Sequence, residues 1–339
     1  GNGDDSCHNV AATTGGGYLL AGYSESEATG DKSEASRGGK DYWVLKIDAG
    51  GSKVWDKRFG GSIGHDYPNG MDVTPDGGFI LVGHNPHGAS GDVSDAGHGS
   101  FDYWAVRVDA NGTKVWDKRF GGSAVEECRD VVSISDGGYL LMGRSVSGAS
   151  GSKSESSRGG KDYWAVKIDA LGDKVWDKRF GGSGDDLGTS VIETADGNFI
   201  LAGASPSDAG GDKSDASRGG NDFWVVKIDA DGNQPLHASD ADGDALTWTL
   251  ESLPTNGTAV VSGTGLAPTT FTYQPNPNFH GSDSFVVKVS DGNGANNSVT
   301  VKINVTDTHV PIVRTLDAES LADGGFRFVG KVLADGGSE

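Results

Sequence analysis

A repeat of about sixty residues occupies the first two-thirds of the chain. The tripeptide Asp-Tyr-Trp, with Phe for Tyr in the last copy, places four tryptophans 61, 60 and 60 residues apart: Trp43, Trp104, Trp164 and Trp224. The run WDKRFGGS begins at Trp55, Trp116 and Trp176 in the same register. An aromatic residue before an aliphatic pair gives a third marker at Tyr18, Phe79, Tyr139 and Phe199. Three markers in one register establish four tandem copies.

Each copy reads as two short hairpins. Apolar residues alternate or run in short stretches, and turns of the Asp-Gly kind separate them, as in Asp109-Ala110-Asn111-Gly112. The chain has 56 glycines against 10 prolines, which is typical of many tight turns. Four short strands per sixty residues, with no helical period, predict an all-β fold: a β-propeller-like array of four-stranded blades.

Residues 1–233 form this array, and we take its first and last copies as incomplete. After Asn233, where a tryptophan strand is due, the chain continues as Gln234-Pro235. The opening Gly1–Asp5 matches the tail of a GGS segment, so we expect further copies upstream or an open array. Four blades is also the lower limit for a closed propeller, and the sequence leaves the two alternatives open.

The motifs TPDGGFILVG, FDYWAVRVDANG and VWDKRFGGS resemble the sixty-residue repeats of secreted proteins from Bacteroidetes and related bacteria. That resemblance implies an exported, modular protein at the cell surface or outside the cell, and it implies no chemistry.

Two further segments follow the repeats. Residues 234–307 alternate apolar and polar side chains between Gly, Asn and Pro breaks, which predicts an immunoglobulin-like β-sandwich. Their motifs, Asp240–Asp244, Tyr273–Asn276, Gly281–Phe285 and Val289–Gly292, resemble the cadherin-like repeats of bacterial adhesins, without the usual first strands. Residues 308–339 are similar to a linker and the start of a fibronectin-III-like module.

The repeated tryptophans allow two interpretations. Seven of the eight tryptophans fall in two repeat columns on predicted strands. Rings in such columns could stack on sugars, but packing between neighbouring blades explains a column that is constant across copies better.

The charge and the cysteine count limit the partners and the chemistry. The formal charge is 28 − 48 = −20, which disfavours nucleic acid as a partner. No apolar run is long enough for membrane insertion. Cys7 and Cys128 occupy matching positions in alternate copies, where a disulfide requires an unusually close approach.

Calcium is the first cofactor candidate, because alternating aspartates around a glycine turn supply oxygen ligands. The residues are Asp240, Asp242, Asp244 and Asp291, and in the repeat loops Asp31, Asp92 and Asp212. Plain Asp-Gly turns and Asp–Arg pairs with Arg37, Arg158 and Arg218 are the structural alternatives. His65, His84, His87 and His98 of the second copy form a weaker transition-metal candidate.

No nucleophile–base motif occurs, so we predict no enzyme. The leading hypothesis is a secreted or cell-surface adhesion module that binds a surface glycan or protein and is stabilised by calcium. The alternatives are a structural spacer or filament subunit that self-associates through open β edges, and a polysaccharide-acting enzyme on a propeller scaffold.

Overall fold

This computed structural model describes residues 1–86, 88–213, 215–234, 238, 240 and 242–305, with the strands at 312–320 and 326–333. The described residues contain strands, turns and bends and no helix, which confirms the predicted all-β class. The chain forms two compact units, Gly1–Gln234 and Pro235–Glu339.

The first three repeats each form a four-stranded antiparallel sheet in which neighbours in sequence are neighbours in the sheet. Sheet 1 contains β1 (Asp5–Ala12), β2 (Tyr18–Ser24), β3 (Asp41–Ile47) and β4 (Lys53–Phe59). Sheet 2 contains β5 (Tyr67–Val73), β6 (Phe79–Asn85), β7 (Asp102–Val108) and β8 (Lys114–Phe120). Sheet 3 contains β9 (Glu126–Ser133), β10 (Tyr139–Ser145), β11 (Asp162–Ile168) and β12 (Lys174–Phe180).

The fourth repeat forms a three-stranded sheet. Sheet 4 contains β13 (Leu187–Glu193), β14 (Phe199–Ser205) and β15 (Asp222–Ile228). The predicted loss of its last strand concerns residues 234–240, of which 235–237 and 239 lie outside the described residues, so that prediction stays open. The first repeat differs from the expectation that it is incomplete, because its sheet has all four strands.

The turn before the last strand shows how the sequence sets the hairpins. The Asp109 carboxylate accepts hydrogen bonds from the backbone N–H groups of Asn111 and Thr113, at 2.9 and 2.8 Å. Gly112 has φ of +85°, a conformation that glycine adopts without the steric penalty of a Cβ atom. The same carboxylate contacts recur at Asp48, Asp169 and Asp229, so the turn is a property of the repeat.

Successive sheets pack through their first strands. β1 contacts β5, β5 contacts β9, and β9 contacts β13. Apolar clusters fill each junction, with Leu81, Leu141 and Leu201 among their fully buried members. Val10 of sheet 1 is 68 % exposed and Phe223 of sheet 4 is 98 % exposed. Among the described residues, sheets 1 and 4 therefore do not pack on each other to close a ring.

The second unit contains one five-stranded antiparallel sheet in the order β18-β17-β16-β19-β20. Its strands are β16 (Thr247–Ser252), β17 (Gly257–Thr264), β18 (Thr270–Pro275), β19 (Gly281–Ser290) and β20 (Asn296–Val305). Tyr273 of β18 stacks on Phe285 of β19 with ring centroids 6.2 Å apart, although two strands separate them in the sheet. The sheet therefore curls over a core that contains Trp248, Phe285 and Val287.

A hairpin of β21 (Ile312–Ser320) and β22 (Phe326–Leu333) lies at the end of the described chain. The predicted linker and fibronectin-III-like start fall partly on residues 306–311, 321–325 and 334–339, which lie outside the described residues. That prediction stays open.

Candidate functional site

The Tyr-Trp motif joins neighbouring sheets. The pairs Tyr42–Trp104, Tyr103–Trp164 and Tyr163–Trp224 each have ring centroids 4.7 Å apart. Each tyrosine hydroxyl donates to the backbone carbonyl of its partner tryptophan, at 3.4, 2.9 and 3.0 Å. Trp104 and Trp164 are fully buried. Packing between blades, and not sugar stacking, is thus the role of this column.

The second tryptophan column is also used within the array. The indole N–H groups of Trp116 and Trp176 donate to the carbonyls of Ala170 and Ala230 in the next sheet's turn, both at 3.1 Å. These rings are half-buried and pack against the apolar clusters. The rings of the first column in sheets 2 to 4, and those of Trp116 and Trp176, are thus engaged between sheets, whereas Trp43 of sheet 1 lines an open pocket.

Two of the acidic loop residues predicted to bind calcium, Asp92 and Asp212, form ion pairs with arginines. The Asp92 carboxylate accepts from Arg37 at 2.8 Å and from Arg58 at 3.3 Å. The Asp212 carboxylate accepts from Arg158 at 2.7 Å and from Arg179 at 2.9 Å. Asp31, the matching residue of sheet 1, lies exposed on a different sheet. The geometry is that of Asp–Arg pairs that tie one sheet to the next.

The aspartates of the second unit make turn contacts. The Asp240 carboxylate accepts from the backbone N–H groups of Asp242 and Asp244, at 3.0 and 2.9 Å, as the repeat turns do. Asp240 and Asp291 line one pocket of about 450 Å³ with Trp248. The Asn293 amide connects that loop to Asp244, at 2.8 Å. The structure thus brings Asp240, Asp244 and Asp291 into one region and gives Asp242 no contact beyond its turn.

Metal-ligating groups of the required number are not assembled in the described ranges. No group of three or more His, Cys, Asp or Glu side chains there is arranged to hold a metal ion. Cys7 and Cys128 are both free thiols, Cys7 exposed and Cys128 buried, so the considered bridge does not form. Burial raises the pKa of the Cys128 thiol well above its usual range.

A buried acid at the start of sheets 2, 3 and 4 was missed in the sequence. The residues are Asp66, Glu126 and Asp186, each four or five residues after the last glycine of a GGS run, and the matching Asp5 of sheet 1 is exposed. Asp66 accepts from the Gly61 N–H at 2.8 Å and from the Asn85 amide. Burial raises the pKa of Asp66 to about 7. Aligning the repeats on their GGS runs would have revealed this repeated acidic position in the sequence.

The histidines divide into two environments. His84 is buried, stacked on Tyr67 with centroids 5.2 Å apart, and His65 lies 6.0 Å from the same ring. Burial lowers the pKa of His84 to about 4, so it is neutral at physiological pH. His98 lies in the loop before β7, where its backbone N–H donates to Asp102. His87 lies outside the described residues.

Rings at positions that are not aromatic in all four copies line up across sheets 1 and 2. The aromatic row consists of His8, Tyr23, Tyr67, His84 and Phe101, whose successive ring centroids lie 5.4, 6.4, 5.2 and 5.5 Å apart. The matching positions of sheet 4 carry no ring, with Ala204 opposite Tyr23 and Leu187 opposite Tyr67. The row therefore arises from divergence between copies.

A positively charged side chain lies against the aromatic row, and a hydrogen bond holds the strands that bear it. The Lys40 ammonium lies 4.2 Å from the Tyr23 ring centroid and 5.6 Å from that of Tyr67. Its interaction with Tyr23 raises the pKa of Lys40, so its charge is retained. The His8 ring donates to the Pro68 carbonyl at 2.9 Å, which fixes β1 against β5 beneath the row.

Charged side chains continue this surface onto sheet 3. Glu127 pairs with Arg129 at 2.9 Å and with Arg144. These two arginines lower the pKa of Glu127 against the effect of its burial. None of the three residues recurs in the other copies. Side chains that differ between the copies are thus concentrated at one end of the inner strands of sheets 1 to 3.

Comparison with known proteins covers the second unit best. Residues 214–304 match the family described as bacterial Ig domain. The match supports the immunoglobulin-like expectation at this coarser level. It begins before β15, a strand that hydrogen bonds within sheet 4 in the structure. No curated protein matches the chain.

Among solved structures, the chain is similar to the extracellular domain of a B. thetaiotaomicron protein described as a hybrid two-component system. The sequence identity is 9 % and the TM-score 0.26, with 88 % of this chain and 44 % of that chain covered. The chain thus spans less than half of that structure's length. In the described part of this chain, no helix is long and apolar enough to cross a membrane.

Proposed function

We propose that the chain is a non-catalytic, extracellular modular protein that binds a cell-surface glycan or protein through the aromatic row. The bacterial Ig match and the repeat resemblance support an exported modular protein. The observation that carries the binding role is the row itself: non-repeated rings with a lysine, on a frame whose repeated residues are engaged in internal contacts.

The chemistry of the row suits a sugar or a peptide with apolar faces. Tyr23 and Tyr67 are half-buried, so part of each side chain is open to solvent. Aromatic rings pack on the apolar faces of ligands, while hydroxyl, imidazole and ammonium groups supply hydrogen bonds at the edges. Because both tyrosines are held by the inner strands, little side-chain entropy is lost on binding.

The experiment is a binding screen of the whole chain on arrays of glycans and of cell-surface and matrix proteins. Tyr23→Ala and Tyr67→Ala should each weaken the best binder at least tenfold, because hot-spot aromatics contribute about 2 kcal/mol or more. Tyr18→Ala is the matched control, since Tyr18 is an exposed tyrosine of sheet 1 outside the row. Absence of any binder, or equal losses for all three variants, contradicts the proposal.

Calcium stabilisation and self-association through open β edges stay predictions. The common pocket of Asp240 and Asp291 supports the first. The second is supported by β15, which pairs only with β14 among the described strands.

A further inference from the structure

The surface of the aromatic row continues onto sheet 3 in the same register. Tyr67 pairs with His84 across β5 and β6, and Glu127 pairs with Arg144 at the matching position across β9 and β10. The charge of Arg144 also lowers the pKa of His84, after the larger effect of burial, so the two side chains lie within electrostatic reach. The surface thus passes from rings on sheets 1 and 2 to charged groups on sheet 3.

Positive side chains outnumber negative ones along this surface. Its cations are Lys40, beside the tyrosines, and the pair Arg129 and Arg144 on sheet 3. In the described part of the chain their ion-pair partners are Glu25, 3.9 Å from the Lys40 ammonium, and Glu127, which both arginines share. Three cations against two carboxylates leave one positive charge in excess, although the whole chain has a formal charge of −20.

The Arg129 guanidinium has donors that the protein does not use. Its Nη2 atom donates to Glu127 at 2.9 Å, and its other N–H groups have no acceptor among the described residues. Arg144, by contrast, directs both Nε and Nη2 at the same carboxylate. The Arg129 side chain is 32 % exposed. Because a guanidinium presents five N–H donors in a planar fork, Arg129 can hold two oxygens of an anion while it keeps Glu127.

The inner edges of β5 and β9 are engaged by side chains of neighbouring sheets. The Asn9 amide donates to the Asn69 carbonyl of β5 at 2.9 Å, and the Asn69 amide donates to the Cys128 carbonyl of β9 at 2.7 Å. The Asp72 carboxylate accepts from the Ser133 N–H of β9 at 2.7 Å. An extended peptide therefore cannot gain affinity by adding a strand at these edges. An oligosaccharide needs only side chains, with rings against its apolar faces and donors for its oxygens.

We propose that the ligand of the aromatic row is an acidic oligosaccharide, that is, a glycan that carries a carboxylate or a sulfate group. Its sugar rings lie along Tyr23 and Tyr67, and Arg129 holds its anionic group. The ligand class rests on the proposed binding role of the row. At physiological ionic strength charges are screened beyond about 8 Å, so an anion at Arg129 responds to the local excess of positive charge. A long polyanion is disfavoured, because the rest of the chain is acidic.

The test compares acidic oligosaccharides with neutral ones of the same backbone, by calorimetry on the whole chain. The probes are trigalacturonate against its methyl ester, and sulfated lactose against lactose. In at least one pair the acidic member should bind about tenfold more tightly, and added salt should reduce the difference. A preference in the first pair alone identifies a carboxylate as the anion, and one in the second pair alone a sulfate.

Neutralising one arginine assigns the anionic group to its site. Arg129→Gln should weaken the acidic member about tenfold and leave its neutral counterpart unchanged. Arg218→Gln is the matched control, because Arg218 is an exposed arginine of sheet 4 outside this surface. Thermal unfolding verifies that both variants are folded, and Glu127 keeps Arg144 as its partner in the first.

The outcomes separate the ligand class from the binding role of the row. Equal binding within both pairs, no binding of any probe, or a preference that Arg129→Gln leaves unchanged overturns the acidic ligand. The binding role then still stands if Tyr67→Ala weakens another binder on the arrays. Triglutamate that binds as tightly as trigalacturonate overturns the choice of a glycan. An acidic preference that Tyr67→Ala does not affect contradicts the role of the row instead.

Discussion

At the scale of single residues, position within the repeat separates structural side chains from the proposed binding ones. Tyr103 recurs in register and is fully buried, with its hydroxyl on the Trp164 carbonyl. Tyr67 has no ring counterpart in sheets 3 and 4 and is half-buried beside Tyr23. The same residue type thus serves two purposes, which its register distinguishes.

The buried hydroxyl gives a stability prediction. Tyr103→Phe removes the donor to the Trp164 carbonyl and should lower the free energy of unfolding by about 1 kcal/mol. Tyr42→Phe is the matched control, because its hydrogen bond is longer, at 3.4 Å, and its loss should cost less. Urea unfolding of the three chains measures this, and a larger cost for Tyr42→Phe would contradict the geometry.

Buried carboxyls predict how stability depends on pH. Burial raises the pKa of Asp41 and Asp162 to about 6, and that of Asp66 to about 7. The Oδ1 atoms of Asp41 and Asp162 are buried without a hydrogen-bond partner. Since these pKa values exceed the unfolded ones, the folded state holds the protons more tightly. Their contribution is complete below about pH 4 and is lost as the pH rises to 7.

The contribution of Asp56 to stability changes with pH in the opposite direction. Hydrogen bonds from Ser33, Lys53 and Trp43 outweigh its burial and lower the pKa of Asp56 to about 2. Its contribution is present above about pH 4 and is lost as the pH falls towards 2. We therefore expect the thermal midpoint to peak between about pH 4 and 6, and Asp66→Asn to flatten the decline above pH 6. A midpoint that rises steadily from pH 5 to 8 would contradict these assignments.

At the scale of elements, the long loop between the second and third strands of each repeat connects neighbouring sheets. The backbone N–H of Asp92 donates to the Gly60 carbonyl of sheet 1 at 3.0 Å, and that of Asp212 to the Gly181 carbonyl of sheet 3. The carboxylates of the same residues hold two arginines each. The loop that carried the calcium hypothesis in the sequence is therefore an element of the junction.

Matched aspartates test that role. Asp212→Asn removes the carboxylate shared by Arg158 and the half-buried Arg179 and should lower the free energy of unfolding by about 2 kcal/mol. Arg179 keeps its longer contacts with Glu155 and Asp162, at 3.6 and 3.9 Å. Asp31→Asn changes the equivalent exposed residue, which pairs with no arginine among the described residues, and should change the free energy of unfolding by less than about 0.5 kcal/mol. Denaturant unfolding at low protein concentration measures both, and equal effects would remove the junction role of Asp212.

Calcium remains testable at the level of the second unit. If the prediction from Asp240, Asp242, Asp244 and Asp291 is right, calcium at about 100 times its dissociation constant should add about 2.7 kcal/mol of stability over chelator. Asp291→Asn should abolish that gain. Equal midpoints with calcium and with chelator would leave the turn contacts of Asp240 as the only role of this loop.

At the scale of the whole molecule, the sequence predicted the structural features that recur in every repeat. The markers around Trp104 and Trp164 predicted four-stranded sheets that pack through tryptophan, because such packing needs the same residue in every copy. The bacterial Ig segment followed from strand alternation.

The rest depended on contacts between distant residues. The aromatic row joins His8, Tyr23 and Phe101, which no sequence period relates. The exposure of Phe223 could not be predicted from the sequence. The matching tyrosines of the other copies are fully buried, whereas Phe223 is 98 % exposed. The curl that brings Tyr273 onto Phe285 also follows from sheet geometry and not from strand pattern.

The central claim is that repeated residues build the array and that the non-repeated row binds. The most direct test measures binding and unfolding on the same two variants, Tyr103→Phe and Tyr67→Ala. We predict that Tyr103→Phe lowers the free energy of unfolding and leaves ligand affinity unchanged, whereas Tyr67→Ala lowers affinity at least tenfold and leaves most of the stability. A loss of affinity in Tyr103→Phe equal to that in Tyr67→Ala, or none in either, would contradict the account.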